Sequence, residues 1–442
     1  MKYQAYPEYK YSGVEWLGDV PEHWTVSKIK FIAPYQVGWT PPTKNDANFD
    51  GENLWANISD LRGKIIHDTA KKISNEAAKA ASMDITPSGS LLYSFKLSVG
   101  AVSFSGKDMY TNEAIASFLE GATLPLSYLY YVLPKFVIEN ASTNIYGARI
   151  LNQELISNAM LLAPSFQEAE KIANFLDHET AKIDTLIEKQ QQLILLLKEN
   201  RQAVISHAVT KGLNPNVPMR DSGVEWLGEV PEHWVVRRLK HTSNLQSGIP
   251  KGKDLTGKIS ISVPMLRVAN VQDGYLDLND VHEMAIEPEQ LERYSLEYGD
   301  VLMNEGGDND KLGRGAVWKS EIAPCIHQNH VFAIRPYSIE PEWLDLLTRA
   351  SYAKFYFFMV AKQSTNLASI SSTNIKETPL LIPSKMERGE IMDYVLRKLK
   401  AFENIEEKCT AQIMLFQERR TALISAAVTG KIDVRHWNGE MV

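Results

Sequence analysis

The chain has 442 residues, 44% hydrophobic and 23% charged, with a formal net charge of −7. That length allows two to four domains with cores of their own, and nothing in the composition suggests disorder. No apolar run approaches the roughly 18 to 20 residues that a bilayer span needs, the opening MKYQAYPEYKYSG lacks a signal-peptide core, and the two cysteines, Cys325 and Cys409, make neither a disulfide framework nor a CxxC site; a cytoplasmic chain with both thiols reduced and buried is expected.

The first element in chain order is a block that returns. SGVEWLGDVPEHW at Ser12–Trp24 recurs as SGVEWLGEVPEHW at Ser222–Trp234, offset by 210 residues, with only Asp19 exchanged for Glu229. Such self-similarity means two equivalent structural units. The far ends of the halves answer each other too: LLAPS (Leu161–Ser165) with LLIPS (Leu380–Ser384), and RQAVISHAVT (Arg201–Thr210) with RTALISAAVT (Arg420–Thr429), at an offset of 219. Between them, Thr25–Met160 and Val235–Pro379 share almost nothing. Each half therefore reads constant, variable, constant.

In the first variable segment GSLLYSF (Gly89–Phe95) and VGAVSF (Val99–Phe104) read as strands, and Leu126–Glu139 reads as a helix. In the second, ISVPMLRVANV (Ile261–Val271) and GDVLMNEGG (Gly299–Gly307) read as strands, and Pro341–Val360 as helix. Neither shows the regular alternation of a nucleotide fold, so two irregular α+β globules are expected. Residues 25–165 hold twelve basic and twelve acidic side chains, and residues 235–384 sixteen against eighteen. A basic surface for phosphates can then arise only by folding.

Each globule leads into a long apolar stripe. Leu176, Ile183, Gln190, Leu197 and Val204 stand seven apart, with Ile172, Leu186 and Leu193 at companion positions. The same register returns at Val395, Phe402, Cys409, Phe416 and Leu423, with Ile391 and Ile405. These are heptad seams on two helices, Ser165–Val209 and Ser384–Val428, each about 60 to 65 Å long at 1.5 Å per residue. One stripe alone is more often the mark of a core helix, whereas two matched stripes point to a pair. Gln190 stands opposite Cys409 if the pairing is symmetric, and an antiparallel course opposes other residues. LNPNVP (Leu213–Pro218) ends the first helix and starts a linker. The boundaries expected are a first globule over 1–164, its helix over 165–211, linker and second globule over 212–383, and the distal helix and tail over 384–442.

Motifs for chemistry are missing. There is no GxxxxGK[ST] phosphate loop and no N/D-PP-Y/F motif for a flipped base. GGDNDKLGRG (Gly306–Gly315) lacks the strand-to-helix frame of a dinucleotide cradle and reads as a flexible loop. Cys325, His327 and His330 form a trio, but strand alternation sends His330 to the opposite face. DNA contact, a local turn or core hydrogen bonding remain open for these histidines. Glu305, Asp308 and Asp310 beside Lys311 have no diagnostic nuclease spacing.

Nearly the whole chain resembles the specificity subunit of a type I DNA restriction-modification system. The resemblance rests on the SGVEWLG-VPEHW heads, on Phe166–Leu213, and on the alternation of constant and variable segments. It extends to LRVANVQDGYLDLNDV (Leu266–Val281), EGGDNDKLGRGAVW (Glu305–Trp318) and CIHQNHVFAIRP (Cys325–Pro336) in the second globule. In the first it extends to GWTPP (Gly38–Pro42), WANISDL (Trp55–Leu61) and TNEAIASF (Thr111–Phe118). It implies that the globules are target recognition domains reading the two halves of a bipartite double-stranded DNA target. It also implies coiled-coil helices that set the gap and dock two methyltransferase subunits, with restriction and translocase subunits beyond, so that the chain itself is no enzyme. S-adenosylmethionine, ATP and Mg would sit on those partners. DNA distortion would help a partner extrude its base.

For base edges the fork-like and bidentate donors are the candidates, since Arg reads guanine and Asn or Gln reads adenine. They are Arg62, Lys96, Asn112 and Arg149 in the first globule, and Arg267, Asn270, Gln272, Lys311, Arg314, Gln328 and Asn329 in the second. For each of them a surface ion pair or a structural hydrogen bond is the competing reading. Trp16, Trp24, Trp226 and Trp234 of the repeated heads either pack on the helices or dock a partner, together with Leu176, Ile183, Leu197, Val395, Phe402 and Phe416 of the seams. The competing class for the whole chain is an assembly scaffold whose globules bind protein.

Overall fold

A computed structural model describes residues 3–82, 84–96, 98–143, 149–250, 252, 255–307, 312–363 and 368–439. The chain divides into two compact units: residues 1–189 with 411–442, and residues 190–410. The division falls across the middle of both long helices rather than at the ends of the globules. Each globule takes half of one helix and half of the other into its own core, so the first unit joins two segments that are far apart in sequence while the second is one continuous stretch.

In the first unit a ribbon of Tyr9–Tyr11 and Asp19–Pro21 opens the chain. Strand Thr25–Lys28 then pairs antiparallel with Met160–Ala163, so the first and last strands of the variable segment lie side by side. Between them a five-stranded sheet runs in the order Tyr35–Val37, Ile115–Phe118, Leu91–Ser94, Val102–Ser105, Ile65–Ile66. A smaller sheet orders Tyr110–Thr111, Asn53–Ala56 and Lys71–Ile73. Helix Leu126–Phe136 buries Tyr128, Leu129, Val132, Leu133 and Phe136 against the larger sheet and continues as a 3₁₀ turn over Val137–Asn140.

The second unit repeats the plan. Its ribbon is Met219–Asp221 with Glu229–Pro231, and Val235–Arg238 pairs with Pro379–Ile382. The main sheet orders Ser243–Ser247, Val331–Pro336, Val301–Asn304 and Gly315–Val317; a second orders His282–Ile286, Ile261–Leu266 and Ile326–His327. The single helix expected over Pro341–Val360 is two, Pro341–Arg349 and Ser351–Val360, because Ala350 is extended. The long helix stabilises this break. Gln202 Nε2 donates to Arg349 O at 2.8 Å, and Ser206 Oγ accepts from Ser351 N at 2.8 Å, satisfying backbone groups that the break frees.

The long helices span Phe166–Lys211 and Lys385–Val428. Within the first unit Lys171 Nζ donates to Arg435 O beyond the second helix and Asp184 pairs with Arg420, so one number rises as the other falls. Within the second, Lys198 and Arg201 lie at the level of Glu406, while Gly212 comes against Glu387. Both contacts are antiparallel. This course sets Lys198 and Arg201 beside Glu406, and the symmetric pairing that would oppose Gln190 to Cys409 does not apply.

The seam positions Leu176, Ile183, Leu197, Val395, Cys409 and Leu423 are buried, and Phe402 and Phe416 half-buried. Of the companion positions, Ile172 and Ile391 are buried near the helix starts, whereas Leu186, Leu193 and Ile405 keep 41%, 38% and 41% of their surface exposed. A contact between two helices covers one line of residues on each, so the second line is buried only where a globule packs on the helix start and faces outward beyond it. Among the described residues no helix is long and apolar enough to cross a membrane.

Candidate nucleic-acid interface

Sheet register decides which loops meet. In the first globule Val37 pairs with Ala116 and Ser94 with Ile115, so the segments after Val37, after Ser94 and before Ile115 gather at one end of the main sheet. In the second, Ser247 pairs with Phe332 and Asn304 with Val331, gathering the corresponding three.

The backbone there is built twice on one pattern. Trp39 N donates to Thr111 O at 2.9 Å, Asn112 N to Ala56 O at 2.9 Å, and Phe95 N to Ala114 O at 3.0 Å. The matching bonds run from Ile249 N to His327 O at 2.9 Å, Gln328 N to Leu266 O at 2.9 Å, and Glu305 N to His330 O at 2.9 Å. Glycine is needed at the crossing. A Cβ on Gly38 would stand 1.8 Å from Thr111 O, and one on Gly248 2.1 Å from His327 O. The two glycines stand 210 residues apart, the offset of the repeated heads, and only Gly38 falls in a segment singled out above, GWTPP.

On this shared backbone the side chains differ. Asn112 corresponds to Gln328, and Glu113, which Thr40 Oγ1 holds, to Asn329. Lys96 is exposed beside a cavity of 450 Å³ that it lines with Gly38, Glu113 and Gln153. Asn112 Oδ1 accepts from Ala114 N at 3.1 Å, and its amide nitrogen has no partner among the described residues. In the second globule His330 Nδ1 lies 2.7 Å from Glu305 Oε2, while His327 is buried on Val331 O. Burial lowers the His327 pKa and pushes the Cys325 thiol up to about 12, holding both neutral inside the fold.

The remaining candidates separate. Arg267, Asn270, Gln272 and Arg314 form one group around the 3₁₀ turn Val268–Asn270. Asn270 is buried, donates to Asp277 O and Asp280 O at 2.9 Å each, and accepts from Arg267 N. Its amide is committed to the turn, so the structure withdraws it from base reading. Arg267 Nη2 donates to Asp280 Oδ2 at 2.8 Å, and Gln272 donates to Ala269 O while taking Arg314 Nη1 at 3.5 Å. Arg62 is exposed after the corresponding turn of the first globule, Ile58–Asp60. Arg149 stands apart, donating to Ile138 O and lying 3.7 Å from Glu139. Lys311, with Asp308 and Asp310, lies outside the described residues.

The repeated heads hold the globules to the helices. Glu168, in the first turn of the first long helix, is buried and accepts from Tyr6 Oη at 2.7 Å and Trp24 Nε1 at 3.1 Å, with His23 Nε2 at 2.9 Å. Glu387 does the same in the second unit, with Trp234 Nε1 at 3.0 Å and His233 Nε2 at 2.9 Å. Trp24 and Trp234 therefore serve packing. Trp16 and Trp226 keep 43% and 40% of their surface exposed, lying against Phe136 and Tyr356. The two glutamates stand 219 residues apart, and aligning the helix repeats would have found them.

A half-buried charge cluster ties the second globule to the first long helix through Gln202. Arg349 Nε donates to Asp273 Oδ1 at 3.0 Å and its Nη1 to Asp345 Oδ2 at 3.1 Å, while Lys354 Nζ reaches Asp273 at 3.0 Å and Gln202 at 2.8 Å. Burial pushes the Asp345 carboxyl up to about 6 against the pull of Arg349. Burial also raises Asp273, but Lys354 and Arg349 more than offset it and its pKa falls.

Residues 21–195 match the family model described as a type I restriction modification DNA specificity domain. The chain is 24% identical over 307 residues to the type I restriction enzyme EcoKI specificity subunit of Escherichia coli, a match covering 68% of this chain and 63% of that one. It is 22% identical to the MjaIX specificity subunit of Methanocaldococcus jannaschii, over 95% of both chains. Among solved structures, a chain from a study of complex assembly and conformational transition in the type I R-M system aligns with a TM-score of 0.64 at 15% identity, covering 93% of this chain and 99% of that one. The HsdS subunit from Thermoanaerobacter tengcongensis aligns with a TM-score of 0.53 at 14% identity, over 93% and 98%. These likenesses place the fold.

Proposed function

We propose that this chain, which belongs to the specificity subunits of type I restriction-modification systems, reads a bipartite, asymmetric double-stranded DNA target with one half-site per globule. One observation carries this reading: two loop ends share a hydrogen-bonded backbone and a mandatory glycine, yet present Asn112, Glu113 and Lys96 in one and Gln328, Asn329 and Glu305 in the other. A common frame with different amide and charged side chains is what two different base sequences require. Two equal docking sites for protein would instead keep the side chains alike.

The chain supplies recognition, and adenine methylation and ATP-dependent cleavage fall to partner subunits in the cytoplasm. S-adenosylmethionine, ATP and Mg belong to those partners, two of them methyltransferase subunits. The test is methylome sequencing of cells expressing this chain with its neighbouring methyltransferase, against cells with the methyltransferase alone. A bipartite methylated motif that depends on this chain supports the reading, and exchange of residues 25–164 then alters one half of it. An active partner whose methylation ignores this chain overturns it in favour of a protein-binding scaffold.

A further inference from the structure

Basic residues recur at one place in the otherwise divergent variable segments. Lys28 and Lys30 of the first stand 210 residues before Arg238 and Lys240 of the second, with Arg237 and His241 added there. The local fold presents them alike. Ile29 and Leu239 are fully buried and anchor a single helical turn, which turns Lys30 and Phe31, or Lys240 and His241, outward.

Ion pairs within the fold consume only part of this charge. Lys28 Nζ meets the neutral Asn158 Oδ1 at 3.3 Å, and Lys30 lies over the exposed Phe31 ring at 5.2 Å. In the second unit Glu377 stands where Asn158 stands in the first, and it takes both Arg238 at 2.5 Å and Lys240 at 2.6 Å. Arg237 has no ion-pair or hydrogen-bond partner among the described residues. Three cations against Glu377 leave the second patch with the same surplus that Lys28 and Lys30 give the first. Arg237, Arg238, His241, Val236 and the exposed Tyr337 line an open groove of 630 Å³, with no carboxylate in its lining.

Like charges gathered on an acidic protein repel one another, and they offer a polyanion a seat. We infer that these two patches are sequence-independent contacts for the phosphodiester backbone of duplex DNA, one per globule, distinct from the loop ends that carry the base candidates. The inference rests on the DNA-reading function proposed above. Because the patch recurs where the readers otherwise differ, it does something common to both half-sites, and backbone phosphates are the part of DNA that does not change with sequence.

The test uses the full chain assembled with its methyltransferase partner, on a labelled duplex carrying the methylated motif and on one of equal length lacking it. Binding is titrated by anisotropy between 50 and 200 mM NaCl, on the order of the range over which phosphate contacts are lost. Lys28→Gln with Lys30→Gln, and separately Arg237→Gln, should weaken both duplexes by the same factor, about 3- to 10-fold. The slope of log affinity against log salt should flatten by about 0.9 per phosphate lost, with the ratio between duplexes unchanged. Lys28→Arg with Lys30→Arg should restore the slope, which separates charge from folding. Three outcomes overturn the inference: an unchanged slope, a loss confined to the motif-bearing duplex, or failure to assemble with the methyltransferase, which would make the patch a protein contact. If the wild-type complex prefers neither duplex, the DNA-reading function fails instead, and the salt slope still judges the patch.

Discussion

Trp24 donates its indole N–H to Glu168 at 3.1 Å across 144 positions of sequence, and Trp234 makes the same bond to Glu387 at 3.0 Å. The head of each half is thereby fastened to the first turn of the helix that follows its globule. A glycine just past the end of the other helix completes the seat: Gly430 lies against Pro21 and Trp24, and Gly212 against Trp234. Each tryptophan thus touches the start of one long helix and the end of the other.

Glu168 is 5% exposed and serves Tyr6, Trp24 and His23, whereas Glu387 serves two donors and its side chain is 25% exposed. Buried donors left without acceptors cost about 1 to 3 kcal/mol each. Glu168→Ala should lower stability by about 3 kcal/mol and Glu387→Ala by about 1 kcal/mol, read from urea unfolding followed by tryptophan fluorescence. Equal losses would show that burial does not set the difference.

Gly38→Ala and Gly248→Ala place a Cβ 1.8 and 2.1 Å from carbonyl oxygens of the facing loops. Backbone must move, at a cost of about 2 kcal/mol or more. Gly389→Ala is the contrast, since it lies in the second long helix with nothing within 4 Å of the added methyl. It should gain roughly 0.5 to 1 kcal/mol from helix propensity. Thermal melts of the three variants test both signs.

Asn112→Ala and Gln328→Ala should each relax one half of the methylated motif and leave the other intact, at about 1 to 3 kcal/mol of discrimination per amide. Asn270→Ala should not redirect the motif at all. Its loss should appear as instability of the turn that it closes through Asp277 and Asp280.

Asp345 has a folded-state pKa raised from 3.8 to about 6 by burial. A raised carboxylate binds its proton more tightly folded than unfolded, so its contribution to stability falls as pH rises from about 4 to about 6. Asp345→Asn removes that fall. The stability of the variant relative to wild type should rise across this window, by at most about 3 kcal/mol, and stay level from pH 6.5 to 8. A relative stability that declines with rising pH would mean that Arg349 dominates the site.

Cys325 bears on oxidation. Its thiol is buried and its pKa stands at about 12, so almost none is thiolate at neutral pH. In the folded chain it should resist a maleimide over hours and react at once in urea, with the labelled site read by mass spectrometry.

The duplication, the two long helices and the alternation of shared and divergent segments are legible in the sequence by itself, because each depends on local pattern: an identical block, a seven-residue period, a proline boundary. Helix bounds differ from those expected by only one or two residues. Tertiary structure alone decided the antiparallel course of the pair, since an apolar stripe marks a face without giving its direction. It also exposed Leu186 and Leu193 while burying Leu176 and Ile183. Asn112 and Asn270 are the same residue type in different loops, and among the described residues one keeps its amide nitrogen free while the other spends its donors on two carbonyls. A side chain's hydrogen-bonding capacity is used up by neighbours distant in sequence, so which polar residues face a ligand is settled only when the chain has folded.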